Sequence, residues 1–206
     1  SPSPVTLRVA TFNVSLYRDS KGQLAEDLAG GDDQQAKKIA EILQRVRPDV
    51  LLLNEFDRDK KAAKHFDEQY LSVGQHGASP LEYPHRYVPK SNTGIHSGVD
   101  LNDDGRTVST PGADGYGDDA YGFGTFPGQY GMVVYSRYPI AEEAIRTFRT
   151  FLWKNMPDNL LPSDWYSNKA VDALRLSSKN HVDVPIDVDG ETVHLLASHP
   201  TPPGFD

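Results

Sequence analysis

Val50, Leu51, Leu52 and Leu53 form an unbroken aliphatic run, entered from Pro48-Asp49 and left through Asn54-Glu55. A half-exposed strand would alternate apolar and polar residues, so this run predicts a strand buried on both faces and ended by a carboxylate. Ahead of it, Leu7, Val9 and Thr11 alternate with Arg8, Ala10 and Phe12 as far as Asn13, a period of two that predicts a first strand. Residues 15–31 read as a polar, glycine-punctuated loop. Asp32 with Gln35 resembles a capping box, and Ile39, Ile42, Leu43 and Val46 then recur at helical spacing, with Lys37, Lys38, Glu41 and Arg45 on the other face. The helix should stop before Pro48. Strand, loop, helix, strand is an α/β crossover, which places both strands in one sheet and brings Asn13 and Glu55 to the same rim.

The later pattern is more broken. Residues 59–70 predict a short helix, and 84–89 a strand. Residues 90–130 have no clear periodicity and are rich in Gly, Asp and Ser. So long a loop in a compact domain usually has a function or a bound ion. Met132 to Tyr135 is a second buried strand, 140–148 alternates as another, and 173–176 is short and strand-like. Residues 151–168 read as an aromatic, proline-broken loop packed on the core, with at least one of Trp153 and Trp165 inside. Val182, Val184, Ile186 and Val188 alternate with polar residues and Pro185, Asp189-Gly190 is a hairpin signal, and the returning strand runs to Ser198-His199-Pro200. No internal repeat or linker divides the chain, so residues 1–206 read as one domain.

Composition narrows the classes. With 206 residues there is room for one sizeable core. Apolar residues make up 37%, against 17 Gly and 15 Pro, which fits a folded protein with much loop. The formal net charge of −8 argues against broad electrostatic capture of nucleic acid, though not against a site that recruits phosphate through bound cations. The absence of cysteine excludes disulfide scaffolds, thiol nucleophiles and cysteine zinc sites. No apolar run reaches the length of a transmembrane helix. The opening Ser-Pro-Ser-Pro reads as an unstructured leader, either a new N-terminus left after export or a mere boundary; the expected location is secreted or periplasmic.

Four pieces carry a resemblance: Val9-Ala10-Thr11-Phe12-Asn13, Pro48 to Glu55, Gly131-Met132-Val133-Val134-Tyr135-Ser136-Arg137-Tyr138-Pro139-Ile140, and Val193-His194-Leu195-Leu196-Ala197-Ser198-His199-Pro200. Together and in this order the chain resembles the endonuclease/exonuclease/phosphatase family. The resemblance implies an α/β fold of the deoxyribonuclease I type, an αββα sandwich of two sheets with helices outside both. It also implies hydrolysis of phosphate esters with a divalent cation, Mg2+ or Mn2+. By the same resemblance Glu55 is the metal-binding glutamate, Asn13 helps hold metal or phosphate, and His199 contacts the scissile phosphate. A cation and positioned donors suit a reaction that must neutralise charge on a phosphoryl group.

The family continues with a Gly-Asp-x-Asn strand end that activates water and a Ser-Asp-His near the C-terminus, and neither occurs here. The expectation is therefore an N-terminal part of a longer protein, inactive alone, whose C-terminal remainder completes the site. The substrate class stays open between nucleic acid, a phospholipid headgroup and a small phosphate ester. Two further candidates come from the residues themselves. Asp100, Asn102 and Asp104, before Gly105, match the start of a calcium loop but lack its closing glutamate, so structural Ca2+ stands beside the plainer reading of a solvated acidic loop. Arg137 at a strand end is a substrate-phosphate candidate or, more ordinarily, an ion-pair partner. Lys179 and His181 are weaker candidates. The alternative to the enzyme is a non-catalytic, calcium-stabilised binding module of the same fold.

Overall fold

The computed structural model describes residues 5–162 and 164–201, so the Ser-Pro-Ser-Pro leader lies outside it. In chain order the elements are β1 (Val9–Leu16), α1 (Gln23–Leu28), α2 (Gln34–Val46), β2 (Val50–Phe56), α3 (Lys60–Phe66) running into a π turn (Asp67–Leu71), β3 (His85–Tyr87), β4 (Met132–Ser136), β5 (Arg146–Thr147), α4 (Asn168–Ala173), β6 (His181–Val188) and β7 (Glu191–Ser198). They build two facing sheets, one of order β1-β2-β4-β3 and one of order β5-β6-β7. This is the mixed α/β two-sheet sandwich that the sequence predicts.

The first sheet follows from the aliphatic run. β1 and β2 are parallel, with Val9 opposite Val50 and Asn13 opposite Asn54, so the two polar positions do share a rim. The crossover helix is capped one residue later than predicted. Asp33, not Asp32, accepts the Ala36 amide at 2.7 Å. Gln35 instead donates to the carbonyls of Val14 and Ser15, tying the helix start to the end of β1. Arg47 ends the helix in a left-handed turn (φ 55°) before Pro48. On β2, Leu51 and Leu53 pack with Val133 and Tyr135 against α1, α2 and α3, while Val50 and Leu52 face the second sheet. There they meet Val182, Val184, Ile186 and Val188 of β6.

Three segments differ from the sequence reading, as do the helix coverage and the burial of the tryptophans. The segment 15–31 is not all loop, because α1 buries Leu24, Ala25 and Leu28 in one turn and a half, too short for a period to show. The segment 140–148 is strand only at Arg146–Thr147. Glu142–Ala144 is a 3-10 turn, and Ile140 and Ile145 reach the inter-sheet core from either side of it. The segment 173–176 is not a strand; α4, capped by Ser167, takes Ala173, and Arg175 alone bridges, to Leu152. Helices cover only the first sheet among the described residues. The outer face of the second carries Asp183, His194 and the 76% exposed Leu196. Neither tryptophan is fully buried: Trp153 is partly buried and Trp165 is 72% exposed.

Residues 90–130 contain no helix or strand, yet they are tied down. Isolated bridges join Thr93 to Gly122 and His96 to Ala120. Buried polar side chains serve as hubs: Asp119 accepts the amides of Leu101 and Val108, and Tyr116 donates to the Gly94 carbonyl.

Candidate functional site

Strict alternation along β2 would send Glu55 into the helix-side core with Leu51 and Leu53. The chain avoids this with a left-handed residue at Glu55 itself (φ 56°). Phe56 then packs on the helix side, fully buried, and Glu55 turns toward the second sheet. β1 opposite carries a bulge. Val14 and Ser15 together stand against Glu55 alone, between the pairs Asn13–Asn54 and Leu16–Phe56, and Ser15 is also left-handed (φ 49°). A non-glycine residue at positive φ costs of order 1–3 kcal/mol, and such strain and bulges cluster where a side chain is re-aimed for function.

What Glu55 meets is His199, the residue after β7. His199 Nε2 lies 3.5 Å from Glu55 Oε1, with both side chains about four-fifths covered. The two sheets thus bring together a carboxylate and an imidazole that are far apart in sequence. Burial lowers the affinity of His199 for a proton, and the nearby Lys179 charge lowers it further, while Glu55 pulls the other way. Lys179 is itself pushed down by burial and held up by Glu55. Sequence reasoning ranked Lys179 low because nothing in Ser-Ser-Lys-Asn-His marks its place; only the fold sets it beside the pair.

Asn13 shares the second-sheet side of β1 with Val9 and Thr11 and is exposed; its Oδ1 accepts the Ser15 amide at 3.2 Å. Sequence reasoning missed Asn54. It is 6% exposed, donates through Nδ2 to Thr11 Oγ1 at 3.1 Å, and leaves Oδ1 buried with no partner. Its one visible signal was a polar residue continuing an otherwise aliphatic run. Asp57, two residues past Glu55, accepts the amides of Arg18 and Tyr130 and so pins the end of β1 and the end of the long loop to this rim. Burial pushes its pKa up to about 6.

Among the described residues, no group of three or more His, Cys, Asp or Glu side chains is placed to hold a metal. By register the oxygen-bearing side chains at this rim are those of Glu55, Asn13 and Asn54, of which Asn54 Oδ1 is buried without a partner. That set fits a hard cation such as Mg2+, which takes one or two protein carboxylates and completes its shell with water and substrate phosphate.

Two sequence candidates do not join this site. Arg137 follows β4, and β4 runs antiparallel to β2 with Ser136 opposite Val50, so Arg137 sits at the other rim. It pairs there with Asp49 at 2.8 Å, the ordinary ion-pair role. In the acidic loop, Asp100 accepts the amides of Asp104 and Gly105, Asn102 also accepts that of Asp104, and Asp104 pairs with Arg106 at 3.0 Å. These oxygens serve the loop's own hydrogen bonds.

The sequence profile of the Endonuclease/Exonuclease/phosphatase family matches residues 10–204. The chain belongs to this family. Its members are in general hydrolases acting on phosphate esters, and they typically use divalent metals. No curated protein matches the chain. Among solved structures it is similar to an endonuclease/exonuclease/phosphatase from Beutenbergia cavernae DSM 12333, at 21% identity and a TM-score of 0.44, over 96% of this chain and 39% of that one. It is also similar to an endonuclease/exonuclease/phosphatase family protein from Leptotrichia buccalis C-1013-b, at 15% identity and a TM-score of 0.46, over 98% of this chain and 57% of that one. The chain thus spans well under two thirds of the length of either structure.

Proposed function

We propose that the rim formed by Glu55, Asn13, Asn54 and His199 is one half of a divalent-metal-dependent phosphoesterase site. The observation that carries this reading is the left-handed Glu55, turned out of the helix-side core to face His199 across the two sheets. A bound divalent cation would supply neutralisation of the charge that grows on the phosphoryl oxygens. Glu55, with the amide oxygens of Asn13 and Asn54, would hold it. Burial and the nearby Lys179 charge hold the proton affinity of His199 down. Its Nε2, the ring atom that faces Glu55, is then the one that donates to a phosphoryl oxygen seated on the rim. Neither Gly-Asp-x-Asn nor Ser-Asp-His occurs in the 206 residues, so this reading assigns water activation to a further segment of the protein.

The test is Glu55→Ala in the fullest available form of the protein, assayed on bis(p-nitrophenyl) phosphate with Mg2+ or Mn2+. Turnover should fall about a hundredfold or more at an unchanged melting temperature. Near-normal turnover would sink the metal-ligand assignment. Running the unsubstituted 206-residue chain alongside separates a half-site from a complete one.

A further inference from the structure

Next to His199 a pocket of about 340 Å3 opens, lined by Tyr121, Trp153, Arg175 and Lys179 as well as His199. Its cations lack anions. The Arg175 guanidinium stacks over the Tyr121 ring at 3.6 Å and donates to Asn92 Oδ1 at 2.5 Å. Arg149 donates to the same oxygen at 3.1 Å. Two positive charges therefore share one neutral acceptor. Among the described residues no carboxylate lies within ion-pair distance of Arg149, Arg175 or Lys179. In a chain of net charge −8 such a grouping is not a by-product of composition.

The arrangement is also built, not incidental. Asn92 is fully buried, and its Nδ2 donates to the carbonyls of Arg149 and Ser177 at 2.8 and 2.7 Å. Its own amide donates to the Lys179 carbonyl at 2.8 Å. Gly122 lies so close to the 177–179 turn that an added Cβ would stand 1.7 Å from the Ser178 carbonyl oxygen. The long 90–130 loop thus delivers Tyr121 and Asn92 directly onto the turn that carries Lys179.

We propose that this pocket is a subsite for a second phosphate of the substrate, bound by Arg175 and Lys179 while the scissile phosphate sits at Glu55 and His199. Arg175 offers a planar fork suited to a phosphate, and Lys179 a point charge between the two positions. Tyr121 holds the fork flat from behind, and Trp153 gives an apolar wall for the organic part of the substrate. The flanking phosphate is either the neighbouring diester of an oligonucleotide or a second phosphate on a small ester. This inference rests on the phosphoesterase reading for the identity of the scissile group, but not for the anion site itself.

The first experiment is calorimetric titration of the protein with inorganic pyrophosphate, without divalent cation. Arg175→Gln should weaken binding at least tenfold, and Lys179→Gln similarly. Glu55→Gln should not weaken it. Equal affinity in the unsubstituted protein and in either pocket variant overturns the subsite; if Arg175→Gln fails to fold, Lys179→Gln decides. The second experiment compares kcat/KM in the fullest form of the protein for a dinucleotide with and without a 5′-phosphate, and for a small diester with and without a second phosphate. A preference for the flanking phosphate that collapses toward one in Arg175→Gln supports the proposal, and the pair that shows it names the source. No preference in either pair overturns it. Pyrophosphate binding lost in the pocket variants, together with normal turnover in Glu55→Ala, would keep the anion site and reject the metal assignment.

Discussion

The two apolar layers of this molecule are unequal. On the helix side, Leu51, Leu53, Phe56, Phe66, Tyr70 and Tyr135 are each essentially inaccessible, and Phe66 packs its ring against Phe56, Tyr70 and Tyr135. Between the sheets the core is thinner and open along one edge. Val9 on β1 is 50% exposed and Val193 on β7 is 37% exposed, although both face inward. A groove there is lined by Val9, Thr11, Leu52 and Leu195. The first layer closes on itself because three helices cover it; the second relies on two sheets meeting at their strands, with only connecting residues such as Tyr138, Ile140 and Ile145 added. The candidate site sits at the rim of the open layer, while Leu53 and Phe56, on either side of its strained Glu55, are anchored in the closed one.

Adjacent leucines on β2 test this contrast most sharply. Leu53 faces the closed layer and Leu52 the open one. Leu53→Ala leaves an enclosed cavity and should cost about 3–5 kcal/mol, the upper part of the range for such truncations. Leu52→Ala opens onto the groove, where neighbours can collapse, and should cost about 2 kcal/mol. Denaturant melts at fixed pH measure both. Equal losses would mean that the inter-sheet core is as closed as the other.

The same contrast explains what was legible in the sequence. The four aliphatics of β2, the α2 stripe and the Asp189-Gly190 hairpin are local signals, and each became the element predicted. Asn13 and Glu55 were rightly brought to one rim, since a parallel crossover fixes that much. What could not be read was which way Glu55 points, because a glutamate carries no mark of a left-handed backbone and alternation gives the wrong face. Arg137 was grouped with the other strand ends because sequence does not reveal that β4 runs antiparallel. Asn92, Tyr121 and Lys179 come together through a loop with no period, and their association is a matter of tertiary packing alone.

Two buried carboxylates extend the comparison to pH. Asp67, on the helix side, is pushed up to about 6 by burial, with Arg86 opposing. One of its oxygens is buried without a partner and the other meets Arg86 at 3.1 Å. The folded state therefore binds the Asp67 proton more tightly than the unfolded chain does. Its contribution is most favourable below about pH 4 and is lost as pH rises to about 6. Asp67→Asn should thus gain on the unsubstituted protein by about 1–3 kcal/mol between pH 4 and 7. Asp183 on the second sheet has the opposite sign, held low by hydrogen bonds from Arg146 and His194. Asp183→Asn should lose ground above the ordinary carboxylate range and recover as pH falls through the lowered value. Parallel slopes for the two variants would contradict these assignments.

The smallest expected effect lies on the outer face of the open layer. Leu196 pairs with Asp183 across β6 and β7 but points away from the inter-sheet core, and it is 76% exposed. With nothing to lose by way of burial, Leu196→Thr keeps a strand-favouring side chain and should change stability by no more than about 0.5 kcal/mol. The measurement is a denaturant melt of the 206-residue chain and of any longer form of the protein. If the variant is neutral in both, Leu196 stays bare in both forms and the apolar burial of the second sheet lies on its Val182, Val184 and Ile186 face. If it is neutral in the short chain but costs more than about 1 kcal/mol in a longer form, that form covers Leu196. The bare outer face of the second sheet would then belong to these 206 residues and not to the longer form.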